Sequence, residues 1–128
     1  MQEAGIERED IAHIELHDCF SIAAILHLED MGFAEPGAGV HLYDTNDDSL
    51  TLNKSGGLKG CGHPVAATGI KQIGDIAKQL EASGSRWGLA QNLGGAGAVC
   101  GIHVLEYDAK RTAEPALESM TATVPTST

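Results

Sequence analysis

The chain has 128 residues, of which 18 are acidic and 8 are basic, so its formal net charge is −10. This length suits a single domain, and 42% hydrophobic residues argue against wholesale disorder. The acidic balance excludes an ordinary nucleic-acid binder, and without a run of about 18 apolar residues we expect no membrane span. Sixteen glycines and only 4% aromatic residues predict an aliphatic core and specialised glycine loops.

The three cysteines have no paired spacing, and no signal-peptide pattern precedes them. We therefore predict no disulfide and a cytoplasmic location. The three are Cys19, Cys61 and Cys100.

In the first half of the chain, the run IAHIELH (residues 11–17) predicts a strand. Apolar residues at helical spacing then predict a helix over residues 22–32, with Ser21 as a possible cap and Gly32 as its end. Residues 33–53 read as a long loop with one short extended piece, VHLYD.

A first glycine cluster occupies residues 55–69 and leads into a helix predicted over residues 69–80, whose stripe is Ile70, Ile73, Ile76, Ala77 and Leu80, with an end by Gly84. Two strands, WGLAQN and AVCGIHVLEY, flank the second cluster NLGGAGA and should pair antiparallel. This order predicts a layered α/β/α domain with an incomplete mixed sheet over residues 1–108. Residues 109–128 have the composition of a flexible tail.

The first candidate site is the sequence GCGHP around His63. Pro64 suits the first turn of a helix, which would place His63 at the positive end of the helix dipole. There His63 could act as a base or donate to a developing oxyanion, or it could merely cap the helix.

The second candidate site is HDCF, residues 17–20, at the end of the first predicted strand. Strand ends in α/β sheets often carry ligand-binding groups, and Cys19 beside His17 could be an acid/base thiol. The alternative is a small buried Cys19 and a hydrogen-bonded structural His17.

The third candidate is the run NLGGAGA, residues 92–98. Its consecutive N–H groups could form an anion-binding nest around Gly94 and Gly95, or simply a tight hairpin. A zinc centre of two cysteines and two histidines disagrees with the one-residue spacing within each pair, so we predict no metal.

Together these segments resemble the thiolase superfamily over residues 5–107. Gly62-His63-Pro64 matches its Gly-His-Pro motif, and HDCF matches the form of its Asn-Glu-Ala-Phe motif found in sterol-carrier-protein-2-type and lipid-transfer thiolases. The family's Cys-x-Gly motif is changed, since Leu93 or Gly94 stands at the position of its cysteine.

The resemblance implies Claisen-type acyl transfer on coenzyme A thioesters, with the thioester as substrate and no separate cofactor. His63 would activate the nucleophilic cysteine and help form an oxyanion hole, in which His17 would orient a water. Cys19 would move the proton at the α-carbon, and Gly94 and Gly95 would line a second oxyanion hole. Ser55 and Gly56 would lie near the pantetheine.

The family's nucleophilic cysteine belongs to an N-terminal half, and no cysteine precedes Cys19 here. We therefore expect this chain to be the C-terminal part of a thiolase, acting with an N-terminal half in the same or a separate chain, as a homo-oligomer. Two alternatives stay open. One is a retro-aldolase of lipid or steroid side-chain CoA esters with an OB-fold accessory protein, and the other is a non-catalytic CoA-binding or assembly module.

Overall fold

In the computed structural model, which describes residues 4–44 and 49–112, four strands form one open mixed sheet. The strands are β1 (Ile11–Glu15), β2 (Thr51–Leu52), β3 (Trp87–Gly94) and β4 (Val99–Glu106), in the order β2-β1-β3-β4. β1 is parallel to β2 and to β3, whereas β3 and β4 are antiparallel. The predicted α/β fold with a mixed sheet is confirmed.

The described helices are α1 (Ser21–Asp30), α2 (Gly57–Cys61), α3 (Thr68–Ser83) and α4 (Ala109–Thr112). α1 and α3 cover opposite faces of the sheet, and each contributes to one of two cores. The core under α1 contains Ile6, Ile11, Ile14, Leu16, Ala24, Leu28 and Leu89. The core under α3 contains Ile76, Leu80 and Ala90. Both cores are aliphatic, as the composition predicts.

A bulge in β1 sets which side chains face which helix. The pairing of β1 with β3 shifts between Ile11 and His13, so Ile11 joins Ile14 in the core under α1. From Ile14 onward the side chains alternate, with Leu16 also on the α1 side. His13 and Glu15 therefore face α3.

Helix α3 ends as predicted, because Gly84 has φ +73° and its N–H donates to Leu80 O over 2.8 Å. The predicted apolar stripe is partly wrong, since Ile70 is 75% exposed and Ala77 is also exposed. The buried row consists of every fourth residue: Thr68, Gln72, Ile76 and Leu80. The first two are polar because Thr68 donates a hydrogen bond to Pro64 O and Gln72 donates one to Gln91 O.

Four local predictions are wrong. The extended piece VHLYD is a 3₁₀ helix over Gly39–Tyr43, because Gly39 N–H donates to the Glu29 carboxylate over 2.9 Å and holds the turn against α1. Ser21 is the first helical residue of α1 and makes no capping hydrogen bond. The first glycine cluster contains the short helix α2, and β2 lies in the segment read as loop.

The antiparallel pairing of the last two strands is confirmed, with a continuous register from Trp87↔Glu106 to Gly94↔Val99. Of the tail predicted over residues 109–128, Ala109–Thr112 are helical. Residues 113–128 lie outside the described part of the chain. No helix within the described ranges is long and apolar enough to cross a bilayer.

Gly88 of β3 is required by the close approach of α3. A Cβ there would lie 2.6 Å from Ile76 Cγ2, whereas a Cβ at exposed Gly74 in α3 would meet nothing within 4 Å. We predict that Gly88→Ala lowers the free energy of unfolding by about 1–3 kcal/mol through overpacking. Gly74→Ala should raise it by about 0.5–1 kcal/mol. Urea unfolding measures both, and equal stability of the two variants would contradict this packing.

Candidate active site

Three polar residues of β1 and the turn after it, His13, Glu15 and His17, are buried to 5%, 1% and 3% exposure. Each side chain makes at least one hydrogen bond, which lowers the cost of burying a polar group, although the buried Nδ1 of His13 has no partner among the described residues. His13 Nε2 lies 2.9 Å from Ser83 Oγ of α3, and Glu15 Oε1 accepts from Gln79 Nε2 over 2.7 Å. The polar face of β1 is therefore part of the packed interior.

His17 is held by side chains of β3 and α3. Asn92 Nδ2 donates to His17 Nδ1 over 3.2 Å and to Gln72 Oε1 over 3.0 Å. Gln72 in turn donates to Gln91 O over 3.0 Å, and Gln91 Oε1 accepts from the backbone N–H of His17 over 3.1 Å. Because Nδ1 accepts a hydrogen bond, the proton of the neutral imidazole lies on Nε2.

Burial lowers the pKa of His17, and repulsion by His63 and His27 lowers it further, against the opposing effect of Asp18. His17 is therefore a neutral imidazole at physiological pH. It offers its Nε2–H as a hydrogen-bond donor without carrying a charge.

His63 is exposed, and its orientation is set by Thr68, the first residue of α3. Thr68 Oγ1 donates to Pro64 O over 3.1 Å and lies 2.7 Å from His63 Nδ1. Since the hydroxyl proton is used on Pro64 O, the hydroxyl accepts from Nδ1–H, and the lone pair of His63 lies on Nε2.

The prediction that Pro64 lies in the first turn of the following helix is wrong. α3 begins at Thr68, and Pro64 opens a separate turn in which its carbonyl accepts from the N–H groups of Ala67 and Thr68. His63 is therefore positioned by a side-chain hydrogen bond.

The structure brings His17 and His63 together. Their ring centroids are 4.9 Å apart and the rings meet edge to face at 89°. His17 carries a proton on its Nε2, whereas His63 carries a lone pair on its Nε2. A donor and a base thus lie close enough to act on one small group.

Cys19 lies two residues beyond His17 and is half-buried. Its carbonyl accepts from Lys59 Nζ over 3.3 Å, which ties the backbone of this turn to α2. Among the hydrogen bonds of the described ranges, none joins Cys19 Sγ to either imidazole. Cys19 is therefore next to the histidine pair in the chain without being bonded to it.

Ser55 and Gly56 lie at the start of the loop that leads to α2. Ser55 makes two hydrogen bonds to Glu15 through its N–H and hydroxyl groups. Gly56, with φ +94°, lines a cleft of about 490 Å³ that also contacts Asp18, Tyr43 and Lys59. Neither His17 nor His63 lines this cleft.

Gly94 ends β3, and Gly95, with φ +59°, begins a 3₁₀ turn closed by the N–H of Ala98 on Gly95 O at 3.1 Å. Both glycines are exposed, and their role in an oxyanion hole stays a prediction. Across residues 4–44 and 49–112, no three His, Cys, Asp or Glu side chains cluster as a metal site would require.

Sequence reasoning missed the residues that orient the two histidines, namely Thr68, Gln72, Gln91, Asn92 and, through Ser55, Glu15. The alternation of IAHIELH was a usable signal, because its polar positions fall on one face. Thr68 and Asn92 lie within the two glycine clusters, but their contacts with His63 and His17, like those of Gln72 and Gln91, are recognisable only once α3 and β3 are packed together.

Similarity to known proteins identifies the family of this chain. Residues 1–107 match the thiolase C-terminal domain-like family, and the chain belongs to that family. The chain is 40% identical over 106 residues to an acetyl-CoA acetyltransferase of Methanothermobacter thermautotrophicus, covering 74% of this chain and 28% of the relative. It is 38% identical over 109 residues to sterol carrier protein 2 of Gallus gallus, covering 77% of this chain and 20% of that protein. The chain thus spans less than a third of these relatives.

The contact between Asn92 and His17 leads to a spectroscopic prediction. Asn92→Asp would replace the donor by a carboxylate, which accepts from Nδ1–H and favours the charged imidazole. We expect the His17 proton to move from Nε2 to Nδ1 and the pKa of His17 to rise relative to the wild type. Imidazole ¹⁵N–¹H correlation spectra report both, and an unchanged His17 tautomer in the variant would contradict the assigned network.

The buried histidines make stability depend on pH. Burial is the main cause that lowers the pKa of His13, His17 and His27 below 6.5, so the unfolded chain takes up these protons first as the pH falls. The free energy of unfolding should therefore fall below about pH 6.5, by up to about 1.4 kcal/mol per pH unit for each histidine.

Urea unfolding between pH 5 and pH 7 measures this dependence. The carboxylate of Glu29, whose pKa is lowered from 4.5 by backbone hydrogen bonds from Gly37 and Gly39, titrates below that window. His13→Gln should reduce the pH dependence of the free energy of unfolding by the contribution of one histidine, which is up to about 1.4 kcal/mol per pH unit. A stability that is flat or rises as the pH falls would show that these histidines are not buried in neutral form.

Proposed function

We propose that this chain supplies the acid/base and oxyanion-hole groups of a thiolase that condenses or cleaves 3-oxoacyl-CoA. The nucleophilic cysteine would come from an N-terminal half, in the same or a separate polypeptide. The observation that carries the proposal is the contact between two imidazoles with complementary protonation, one donor and one base. Membership of the thiolase C-terminal domain-like family supports it.

In the proposed cycle, His63 Nε2 removes the proton from the nucleophilic thiol. The thiolate attacks the keto carbon of 3-oxoacyl-CoA and the bond to the α-carbon breaks. Acetyl-CoA leaves with a proton from Cys19 on its α-carbon, and the acyl group stays on the nucleophilic cysteine. The thiol of a second CoA gives its proton to the Cys19 thiolate and attacks the acyl-cysteine, which releases acyl-CoA and the cysteine thiolate. His63 suits the first step because Thr68 occupies Nδ1 and leaves Nε2 free to accept a proton.

His17 stabilises charge on the oxygen of the bound thioester. Its Nε2–H can donate to that oxygen directly or through a water, and the Asn92 contact keeps the proton on that nitrogen. A neutral donor is suitable here because a cation at His17 would repel a protonated His63 after the first step.

Cys19 is proposed to move the proton on and off the α-carbon of acetyl-CoA. The carbonyl contact with Lys59 and the start of α1 at Ser21 fix the turn that carries Cys19. The N–H groups of Gly94 and Gly95 would form the second oxyanion hole, for the acyl-cysteine, and Ser55 and Gly56 would border the pantetheine. The CoA thioester is the substrate, and this scheme uses no resident cofactor.

Exposed apolar side chains beside the two histidines support the proposal that an N-terminal half of the protein covers this surface. Phe20, which follows Cys19, is 69% exposed, and Val65, which follows Pro64, is 80% exposed. Large apolar side chains exposed next to a candidate site are typical of a surface that is covered in the complete assembly. A homo-oligomer of such assemblies is part of the proposal.

The proposal is tested in a chimera in which residues 4–107 replace the segment they match in the Methanothermobacter acetyltransferase. We expect the chimera to thiolyse 3-oxoacyl-CoA, and His63→Ala or Cys19→Ala to lower kcat by about 100-fold or more, since each removes an acid/base group. The measurement is the rate of acetyl-CoA release from acetoacetyl-CoA. The matched control is His103→Ala, which alters an exposed residue of β4.

Several outcomes would contradict the proposal. Full activity of both the His63 and the Cys19 variants would remove their assigned roles. CoA-ester cleavage without an acyl-cysteine in mass spectra would favour the retro-aldolase alternative. A folded chimera that binds acyl-CoA in calorimetry but turns over no substrate would favour a non-catalytic binding module.

A further inference from the structure

Glu15 is a buried carboxylate that the proposed mechanism does not use. It is 1% exposed and accepts three hydrogen bonds, from Ser55 N over 3.0 Å, Ser55 Oγ over 2.6 Å and Gln79 Nε2 over 2.7 Å. Neither of the two ion pairs found in the described residues includes it. Removing a carboxylate from water costs free energy unless it is well hydrogen-bonded. The three donors therefore offset the cost of burying Glu15.

Two of these bonds fix both the backbone and the side chain of Ser55. Ser55 in turn organises the loop beyond it, because its carbonyl accepts from Cys61 Sγ over 3.1 Å and its hydroxyl from Gly57 N over 3.3 Å. The segment from Ser55 to Cys61 ends two residues before His63. Glu15 thus fixes Ser55, the first residue of the loop that leads to His63.

Asp18 holds the same loop at a second point. Its Oδ1 accepts from Leu58 N over 2.7 Å, and a Cβ at Gly57, which has φ +59°, would overlap the carboxylate. His17 lies between Glu15 and Asp18 in sequence. The two carboxylates therefore join the segment that carries His17 to the loop that carries His63.

We propose that Glu15 is a positioning residue of the thiolase site. By fixing Ser55 against β1 it sets the place of His63 relative to His17. The catalytic part of this inference rests on the proposed function, whereas its geometric part concerns the chain alone. A carboxylate suits the position because it only accepts hydrogen bonds, and all three partners donate.

The first experiment uses the chain itself. Glu15→Ala should abolish the His63 Nδ1–H signature in imidazole ¹⁵N–¹H correlation spectra, because the loop no longer holds His63 against Thr68. Glu15→Gln should retain it, since the amide oxygen accepts from Ser55 N and Gln79. The matched control is Glu29→Gln. It replaces another carboxylate that accepts hydrogen bonds from backbone N–H groups, here those of Gly37 and Gly39.

The control should lower stability and leave the His63 signal unchanged. If Glu15→Ala does not fold, Ser55→Ala serves in its place, because it removes the 2.6 Å hydrogen bond from the loop side. A wild-type His63 signal in folded Glu15→Ala or Ser55→Ala protein would overturn the inference, whatever the activity of the assembled enzyme.

The second experiment uses the chimera. Glu15→Ala should lower kcat about 10-fold or more, as expected when a catalytic group is displaced. Glu15→Gln should restore most of kcat. If His63→Ala has wild-type activity, the proposed function fails while the spectra still decide the position of His63. If His63→Ala is inactive but Glu15→Ala is not, only the present inference fails.

Discussion

The site depends on the burial of alternate polar side chains on one face of β1. His13, Glu15 and His17 face away from the aliphatic core under α1, and each must find a partner because water is excluded from that face. The first half of the buried row of α3 is polar for the same reason. Packing and chemistry are therefore not separable here, since the partners that make burial possible also orient the groups that can react.

The two histidines illustrate how neighbouring imidazoles can differ in function without differing in charge. Asn92 donates to one ring, whereas Thr68 accepts from the other, and this contrast selects opposite tautomers. Two cations at a centroid distance of 4.9 Å would repel each other. Burial lowers the pKa of His17 and so keeps that ring neutral.

The sequence was sufficient for the fold class, the end of α3 at Gly84 and the hairpin, because these depend on local periodicity and glycine punctuation, and it singled out the two histidines that the structure brings together. It failed where tertiary contacts decide. The stripe that includes Ile70 follows ideal helical periodicity, but the helix turns Gln72 inward to meet Asn92. The helix expected to start at Pro64 starts instead at Thr68, because the Pro64 carbonyl accepts the hydrogen bonds of a separate turn. Gln72 lies in no motif, and Asn92 opens the third candidate run without a sequence signal for its contact with His17, so only the packed structure reveals what these two residues do.

The position of β4 at the end of the sheet order has a consequence for handling the chain. Its outer edge has no strand partner among the described residues, and within Val99–Glu106 the only acidic or basic residue besides His103 is Glu106. Proteins usually protect such an edge with lysine, proline or a covering segment. Without a strand partner among the described residues, the backbone N–H and C=O groups along this edge provide a template on which a second chain can add a strand, so the purified chain should be kept at low concentration.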